Sequence, residues 1–147
     1  MAKLVGINHV ALEVGDVDEA LELYGRLFDF ELRGRVGGGA MAFIDIGDQF
    51  LAIQAGRSQP PDEGRHFGLV VDDREAVREA VERESLKKAP SVRGGLAFFD
   101  PWGNHLEVVD YRDIQFERTP GVKRKLGIES LEKTSEAKAE IEEKGLG

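Results

Sequence analysis

An internal repeat limits the architecture more than any other feature of this 147-residue sequence. The segment His9 to Val14 (HVALEV) lies over His66 to Val71 (HFGLVV). Each copy then meets an aspartate, Asp16 or Asp73, and enters a helical pattern. Further on, Gly39 to Asp45 (GAMAFID) lies over Gly94 to Asp100 (GGLAFFD). Short apolar segments end the two copies, Phe50 to Gln54 (FLAIQ) and Gly103 to Glu107 (GNHLE). Matches in the same order, with spacing that shortens along the chain, mark a duplicated supersecondary unit.

Each copy reads as strand, helix and three strands, so the fold class is α+β. The first helix is predicted over Val17 to Phe28. Its apolar residues Val17, Ala20, Leu21, Tyr24, Leu27 and Phe28 follow the 3.6 period, and Asp16 with Glu19 forms an N-terminal signature. The second helix follows Asp73 and buries Ala76, Val77, Ala80 and Val81. Gly37 to Gly39 and Gly94-Gly95 read as turns or bulges, and Gln59 to Gly64 as the linker between copies. A short edge strand is expected within Leu86 to Val92, although Lys87-Lys88-Ala89-Pro90 suits one poorly. The expected organisation is a single domain over 1–112, with module one over about 4–56 and module two over about 64–110. A tail over 113–147 matches neither copy. Thr119-Pro120-Gly121 is expected to break the chain, and Ile128 to Lys144 to form a charged helix with only Leu131, Ala137 and Ile141 to bury. So thin a stripe predicts a frayed or surface-docked tail ahead of the alternative, an arm that packs on a second subunit.

The formal net charge of -8 disfavours phosphate backbones and anionic membrane surfaces, so no nucleic acid and no membrane are expected as partners. With no cysteine, disulfides, thiolate catalysis and cysteine-based zinc sites are excluded. No apolar run approaches the roughly 20 residues of a spanning helix, and the N-terminal residues lack a secretory pattern. A cytoplasmic protein is expected.

Strand parity gives the candidate site. Val10, Leu12 and Val14 share one face of the first strand, opposite His9 and Ala11. Leu51 and Ile53 oppose Gln54; Phe67, Leu69 and Val71 oppose His66; Leu106 and Val108 oppose Glu107. The aliphatic faces must pack on the helices, so His9, Gln54, His66 and Glu107 point away from them. If the sheets curl so that these faces line one cavity, the four side chains converge. Two imidazoles and a carboxylate suit one divalent metal ion (Fe, Mn, Ni, Co or Zn), and Gln54 can add an amide oxygen.

The opening Ile7 to Leu12, the helix with Tyr24 and Leu27-Phe28, and the stretch Asp100 to Glu107 (DPWGNHLE) together resemble the vicinal oxygen chelate superfamily, over Val5 to Asp110. That group contains glyoxalases, extradiol dioxygenases, fosfomycin- and bleomycin-resistance proteins and methylmalonyl-CoA epimerases. The resemblance implies two βαβββ modules forming a U-shaped mixed-sheet cleft around one divalent metal, with ligands at His9, Gln54, His66 and Glu107. It also implies a small-molecule substrate chelated through adjacent oxygens, and a homodimer.

Several chemistries suit such a site. Isomerase or lyase chemistry of the glyoxalase or epimerase kind, slightly favoured, needs a base near the substrate carbon. Gln54 cannot serve. Glu107 is the leading catalytic candidate, and Glu13 on the His9 face a weaker one. Extradiol ring cleavage with Fe(II) is the alternative, with His9, His66 and Glu107 as the two-histidine-one-carboxylate triad. His105 would then contact substrate or sit on the cleft rim, and Tyr111 lies beyond the last strand. Arg35, Arg57 and Arg93 are candidates for binding an anionic substrate. The non-enzymatic alternative is a metal-free, drug-sequestering protein of the bleomycin-resistance kind. Phe43 with Phe98, and Ile44 with Phe99, are read as repeat equivalents, one of each pair facing the cleft.

Overall fold

A computed structural model describes residues 1–91 and 95–147. The chain forms two compact units, Met1–Gln59 and Pro60–Gly147.

The first unit runs β1 (His9–Val14), α1 (Val17–Leu27), β2 (Glu31–Val36), a 3-10 turn (Gly37–Gly39), β3 (Met41–Ile46) and β4 (Gln49–Ala55). Its sheet has the order β1-β4-β3-β2, with β1 parallel to β4 and the other pairs antiparallel. The parallel pair needs a crossover, which α1 and the β2–β3 hairpin supply. Asp16 accepts from the Glu19 amide at 3.0 Å and starts α1 as expected. The helix buries Val17, Ala20, Leu23, Tyr24 and Leu27; Leu21 is only half-buried. The helix contacts β4, and Leu12, Val14, Ile44, Leu51 and Ile53 of the sheet are all buried.

The second unit repeats the plan with β5 (Phe67–Val71), α2 (Arg74–Arg83), β6 (Leu96–Phe99) and β7 (His105–Asp110). Its order is β5-β7-β6, again with the first and last strands parallel. Asp73 caps α2 through the Glu75 and Ala76 amides. Val77, Ala80 and Val81 are buried, but Ala76 is exposed. Among the described residues, the edge strand expected within Leu86 to Val92 shrinks to one bridge, Lys88 opposite Phe98. Two backbone bonds flank it, Phe99 N–H to Lys87 O at 2.8 Å and Ala89 N–H to Ala97 O at 3.0 Å. Pro90 has no N–H with which to continue the ladder. Val92, Arg93 and Gly94 lie outside the described residues.

Beyond β7 come a 3-10 turn (Tyr111–Asp113), α3 (Pro120–Leu126) and α4 (Ser135–Glu143). Thr119-Pro120-Gly121 starts a helix rather than breaking the chain. Thr119 caps α3, and proline at its first position lacks only an amide that would be unpaired anyway. The tail is docked. Ala137 and Ile141 are buried, and so is Lys133, which the apolar pattern could not flag. The Lys133 ammonium donates to the carbonyls of Tyr111 and Ile114 and lies 3.5 Å from the centroid of the Tyr111 ring. Among the described residues, no helix is long and apolar enough to cross a membrane.

Candidate metal centre

The predicted parity is observed in both sheets. Leu12 and Val14 are buried, while His9, on the other face by strand alternation, is exposed. Leu106 and Val108 are fully buried on the α2 side, and the Glu107 side chain is 17% exposed on the other.

In the second unit, His66 and Glu107 come together. His66 Nε2 lies 3.7 Å from Glu107 Oε2. Each side chain is held by its other polar atom. His66 Nδ1 lies 3.0 Å from the Gly64 carbonyl, which can only accept. Nδ1 therefore carries a proton, and it is Nε2 that in the neutral ring presents its lone pair on the side of the carboxylate. Glu107 Oε1 accepts from Ser91 Oγ at 2.9 Å. With metal–ligand bonds of about 2.1 Å, two donors on one ion stand at most about 4.2 Å apart, so the 3.7 Å pair fits a shared divalent cation.

The first unit repeats half of this device. His9 Nδ1 lies 2.8 Å from Asn8 Oδ1, so the same tautomer leaves Nε2 open. The ring stacks on Phe50, with centroids 4.6 Å apart and planes at 9°.

Strand register locates Gln54. His9 is level with Phe50, Ala11 with Ala52 and Glu13 with Gln54. In the second unit Phe67 is level with Leu106 and Gly68 with Glu107. One residue earlier, His66 meets His105, with ring centroids 5.0 Å apart. Phe50 and His105 are thus counterparts, each against the histidine of its own unit. The position corresponding to Glu107 is Ala52, and Gln54 lies two residues further on. Each residue advances roughly 3.3 Å along a strand, which puts Gln54 roughly 13 Å along from the His9 level and Ala52 roughly 7 Å.

The aromatic pairs need the same kind of correction. Ile44 is level with Leu51, and Phe98 with Leu106, so both face the helices and correspond to each other. Phe43 and Phe99 face away from them, paired with Ala52 and His105.

His105 is not on a rim. It is 5% exposed, between His66 and Phe99, whose ring centroids lie 5.0 and 5.1 Å away. Its Nε2 donates to the Pro90 carbonyl at 3.1 Å, and its Nδ1 meets no partner among the described residues. Tyr111 turns to the tail, where its hydroxyl donates to Glu117 Oε1 at 2.6 Å. Glu13 Oε2 accepts from Gln59 Nε2 at 2.8 Å. Arg35 is paired with Asp18 at 2.6 Å, Arg57 donates to the Gln59 carbonyl at 3.4 Å, and Arg93 lies outside the described residues. Asn8, Gly64 and Ser91 hold the candidate ligands and were not foreseen. Asn8 and Gly64 lie one and two residues before a histidine, a faint signal, whereas nothing in the sequence marks Ser91.

The loop before β7 explains its own composition. Asp100, 4% exposed, accepts from the Trp102 and Asn104 amides at 3.0 and 2.8 Å and from the Asn104 side chain at 2.8 Å. Gly103 takes φ +87, and its carbonyl accepts from the Asp62 amide at 2.8 Å. This knot fixes where β7 begins, and with it the positions of His105 and Glu107.

Among the described residues, no group of three or more His, Asp or Glu side chains is gathered into a cation site. Each unit carries two of the predicted residues, His9 and Gln54 in one, His66 and Glu107 in the other.

A paired-module fold with histidines and a carboxylate on the strand faces is that of a vicinal oxygen chelate protein. The family profile for the Glyoxalase/Bleomycin resistance protein/Dioxygenase superfamily matches residues 6–108, and the chain belongs to that superfamily. Comparison with curated proteins gives no match. Among solved structures, a variant of the fosfomycin resistance protein FosX from Listeria monocytogenes, complexed with Mn(II) and 1S,2S-dihydroxypropylphosphonic acid, is 19% identical. It aligns with a TM-score of 0.60 over 72% of this chain and 90% of that one. Lactoylglutathione lyase from Agrobacterium tumefaciens is 23% identical, with a TM-score of 0.55 over 74% and 96%. A protein described as a possible glyoxalase from Bacillus cereus is 24% identical, with a TM-score of 0.55 over 72% and 99%. Likeness at these identities is likeness of fold.

Proposed function

We propose that this chain is a divalent-metal-dependent enzyme acting on a small substrate held through two adjacent oxygens, with His9, His66 and Glu107 as the protein ligands. In this reading the two units form one domain and close these three side chains on one ion. The observation that carries it is the His66–Glu107 pair, 3.7 Å apart with both outer atoms already held. His9, with the same tautomer, supplies the third donor. Mn(II) in the FosX relative supports a divalent ion without choosing which.

The strand register argues that Gln54 stands outside the ligand set and faces substrate instead. Three protein donors leave positions for a bidentate substrate. When bound, the ion supplies Lewis acidity to the substrate oxygens. His105, buried with one nitrogen committed, is best read as fixing the His66 ring rather than meeting substrate.

Proton-transfer chemistry of the isomerase or lyase kind is the preferred reaction class, because the Tyr111 hydroxyl that ring cleavage could use is tied to Glu117. Ring cleavage with Fe(II) is the second reading, favoured by the three-donor set. A homodimer is part of the proposal on the strength of superfamily membership alone. The test begins with the metal in protein purified from its source. Two screens follow, solvent deuterium exchange into hemithioacetals and α-keto thioesters, and oxygen uptake with catechols. Exchange with Mn, Ni, Co or Zn supports the first reading; oxygen uptake with iron supports the second. Protein that purifies without metal and binds its ligand unchanged in chelator is a sequestering protein, and the proposal fails.

A further inference from the structure

We infer that Ser91 is a positioning residue for the metal centre: its hydroxyl sets the rotamer of Glu107 and so the affinity for the ion. The inference rests on the proposed metal-binding reading. Ser91 Oγ donates to Glu107 Oε1 at 2.9 Å and accepts from the Gly95 amide at 3.0 Å. A hydroxyl has one proton and can accept at its lone pairs. The Gly95 amide takes an acceptor site, so the proton is aimed at the carboxylate. Glu107 is thereby fixed at one oxygen while the other stands 3.7 Å from His66 Nε2.

The residue before Ser91 is anchored from the same strand. His105 Nε2 donates to the Pro90 carbonyl at 3.1 Å. Alternate side chains of β7, His105 and Glu107, therefore bind successive residues, Pro90 and Ser91. The hydroxyl does not depend on a freely moving backbone. Gly95 closes the arrangement. A Cβ there would lie 3.5 Å from Ser91 Oγ and 3.8 Å from Glu107 Oε1, in ordinary contact with both. A carboxylate held at one oxygen keeps a single presentation of the other, which is the usual work of an outer hydrogen bond on a metal ligand.

The test is Mn(II) binding to the full chain, followed by the electron paramagnetic resonance of free Mn(II), for wild type, Ser91→Ala and Ser91→Thr. Ser91→Ala is expected to weaken Mn(II) about 10- to 100-fold, and Ser91→Thr, which keeps the hydroxyl, to stay within about 3-fold of wild type. The visible absorption of the Co(II) form should change in Ser91→Ala and not in Ser91→Thr, a readout that packing alone would not move. Thermal melting of both metal-free variants checks folding; if Ser91→Ala melts early, loss of affinity in a folded Ser91→Val carries the same weight. Wild-type Mn(II) affinity in a folded Ser91→Ala overturns the inference and leaves the metal-binding reading intact. A wild-type chain that takes up neither Mn(II) nor Co(II) overturns both.

Discussion

His66 Nε2 and Glu107 Oε2 face each other at 3.7 Å, too far for a hydrogen bond and close enough for two donors on one ion. Gly64 and Ser91 hold the outer atoms of the pair. Removing a direct donor should exceed the effect of removing an outer hydrogen bond, which is about 10- to 100-fold in affinity. His66→Ala and Glu107→Ala are therefore expected to lose at least about 100-fold in Mn(II) affinity, and His9→Ala the same. His9 is exposed, so its loss leaves the core untouched, and the variant should melt with wild type. Metal analysis and thermal melting on the same samples check this. Unchanged metal content in any of the three removes that residue from the centre.

Gln54 gives the opposite expectation. It is level with Glu13, four residues along from the His9 level, whereas Glu107 is two residues along from the His66 level. Gln54→Ala should leave Mn(II) affinity within about 3-fold of wild type and change the KM for substrate instead. A loss comparable to that of Glu107→Ala, well beyond the roughly 10-fold floor of an outer-shell effect, would make Gln54 a ligand.

These two residues also mark how far the sequence could be read. The face of every site residue followed from period 2, because Leu51, Ile53, Leu106 and Val108 had to pack on helices. The phase did not follow. Sliding one copy by two residues leaves the apolar alternation unchanged, so matching Gln54 to Glu107 satisfied the pattern as well as matching Ala52 does. Only the ladder separates them. A one-residue slip was harder to avoid in β3 and β6, where Phe43-Ile44 and Phe98-Phe99 are apolar on both faces and periodicity falls silent. Ser91 was invisible because nothing local links it to a glutamate in a later strand. Lys133 was invisible because burial of an ammonium depends on carbonyls that the fold brings from Tyr111 and Ile114.

The faces themselves can be tested at Leu12 and Leu69. Leu12 is 5% exposed, and a carboxylate there has no partner. Leu12→Asp is expected to lose more than about 4 kcal/mol, enough to unfold a marginal domain. Leu69 is level with Val108 on the α2 side but only half-buried, so Leu69→Asp should cost less. Urea unfolding orders the two, and a reversed order would mean the second sheet packs more tightly than the first.

Gly103 is the most constrained glycine of the site. Its φ is +87, and a Cβ would lie 2.6 Å from the Pro61 Cα. The left-handed backbone alone costs an ordinary residue about 1–2 kcal/mol, and the backbone of Pro61 must also move. Gly103→Ala should lower the melting temperature by roughly 4–8 °C, for about 2 kcal/mol in a domain of this size. Because the Asp62–Gly103 bond and the Asp100 knot set the start of β7, Mn(II) affinity should fall with it. Melting within a degree of wild type would show that the loop yields without strain.

Acid should undo the second unit through Asp110 and Glu117. The Arg112 guanidinium, bonded to both Asp110 oxygens at 2.9 and 2.8 Å, holds that carboxyl below its ordinary value of 3.8. For Glu117, burial pushes the value up, but the Tyr111 hydroxyl and the Lys123 ammonium outweigh it and leave it below 4.5. In both cases the unfolded chain takes up the proton first as pH falls. Stability is therefore full above the ordinary values and declines as pH drops from about 4.5 toward each depressed folded value. Asp110 bridges β7 to the turn at Tyr111–Asp113, and Glu117 bonds Tyr111, so their protonation loosens the seat of the tail. Urea midpoints measured from pH 6 down to about pH 2.5 should fall steeply for wild type and less steeply for Asp110→Asn, which has no proton to gain. At pH 7 the variant should be the less stable of the two, since an amide is a weaker acceptor for Arg112 than a carboxylate. Equal acid slopes in both proteins would assign the loss to other carboxylates.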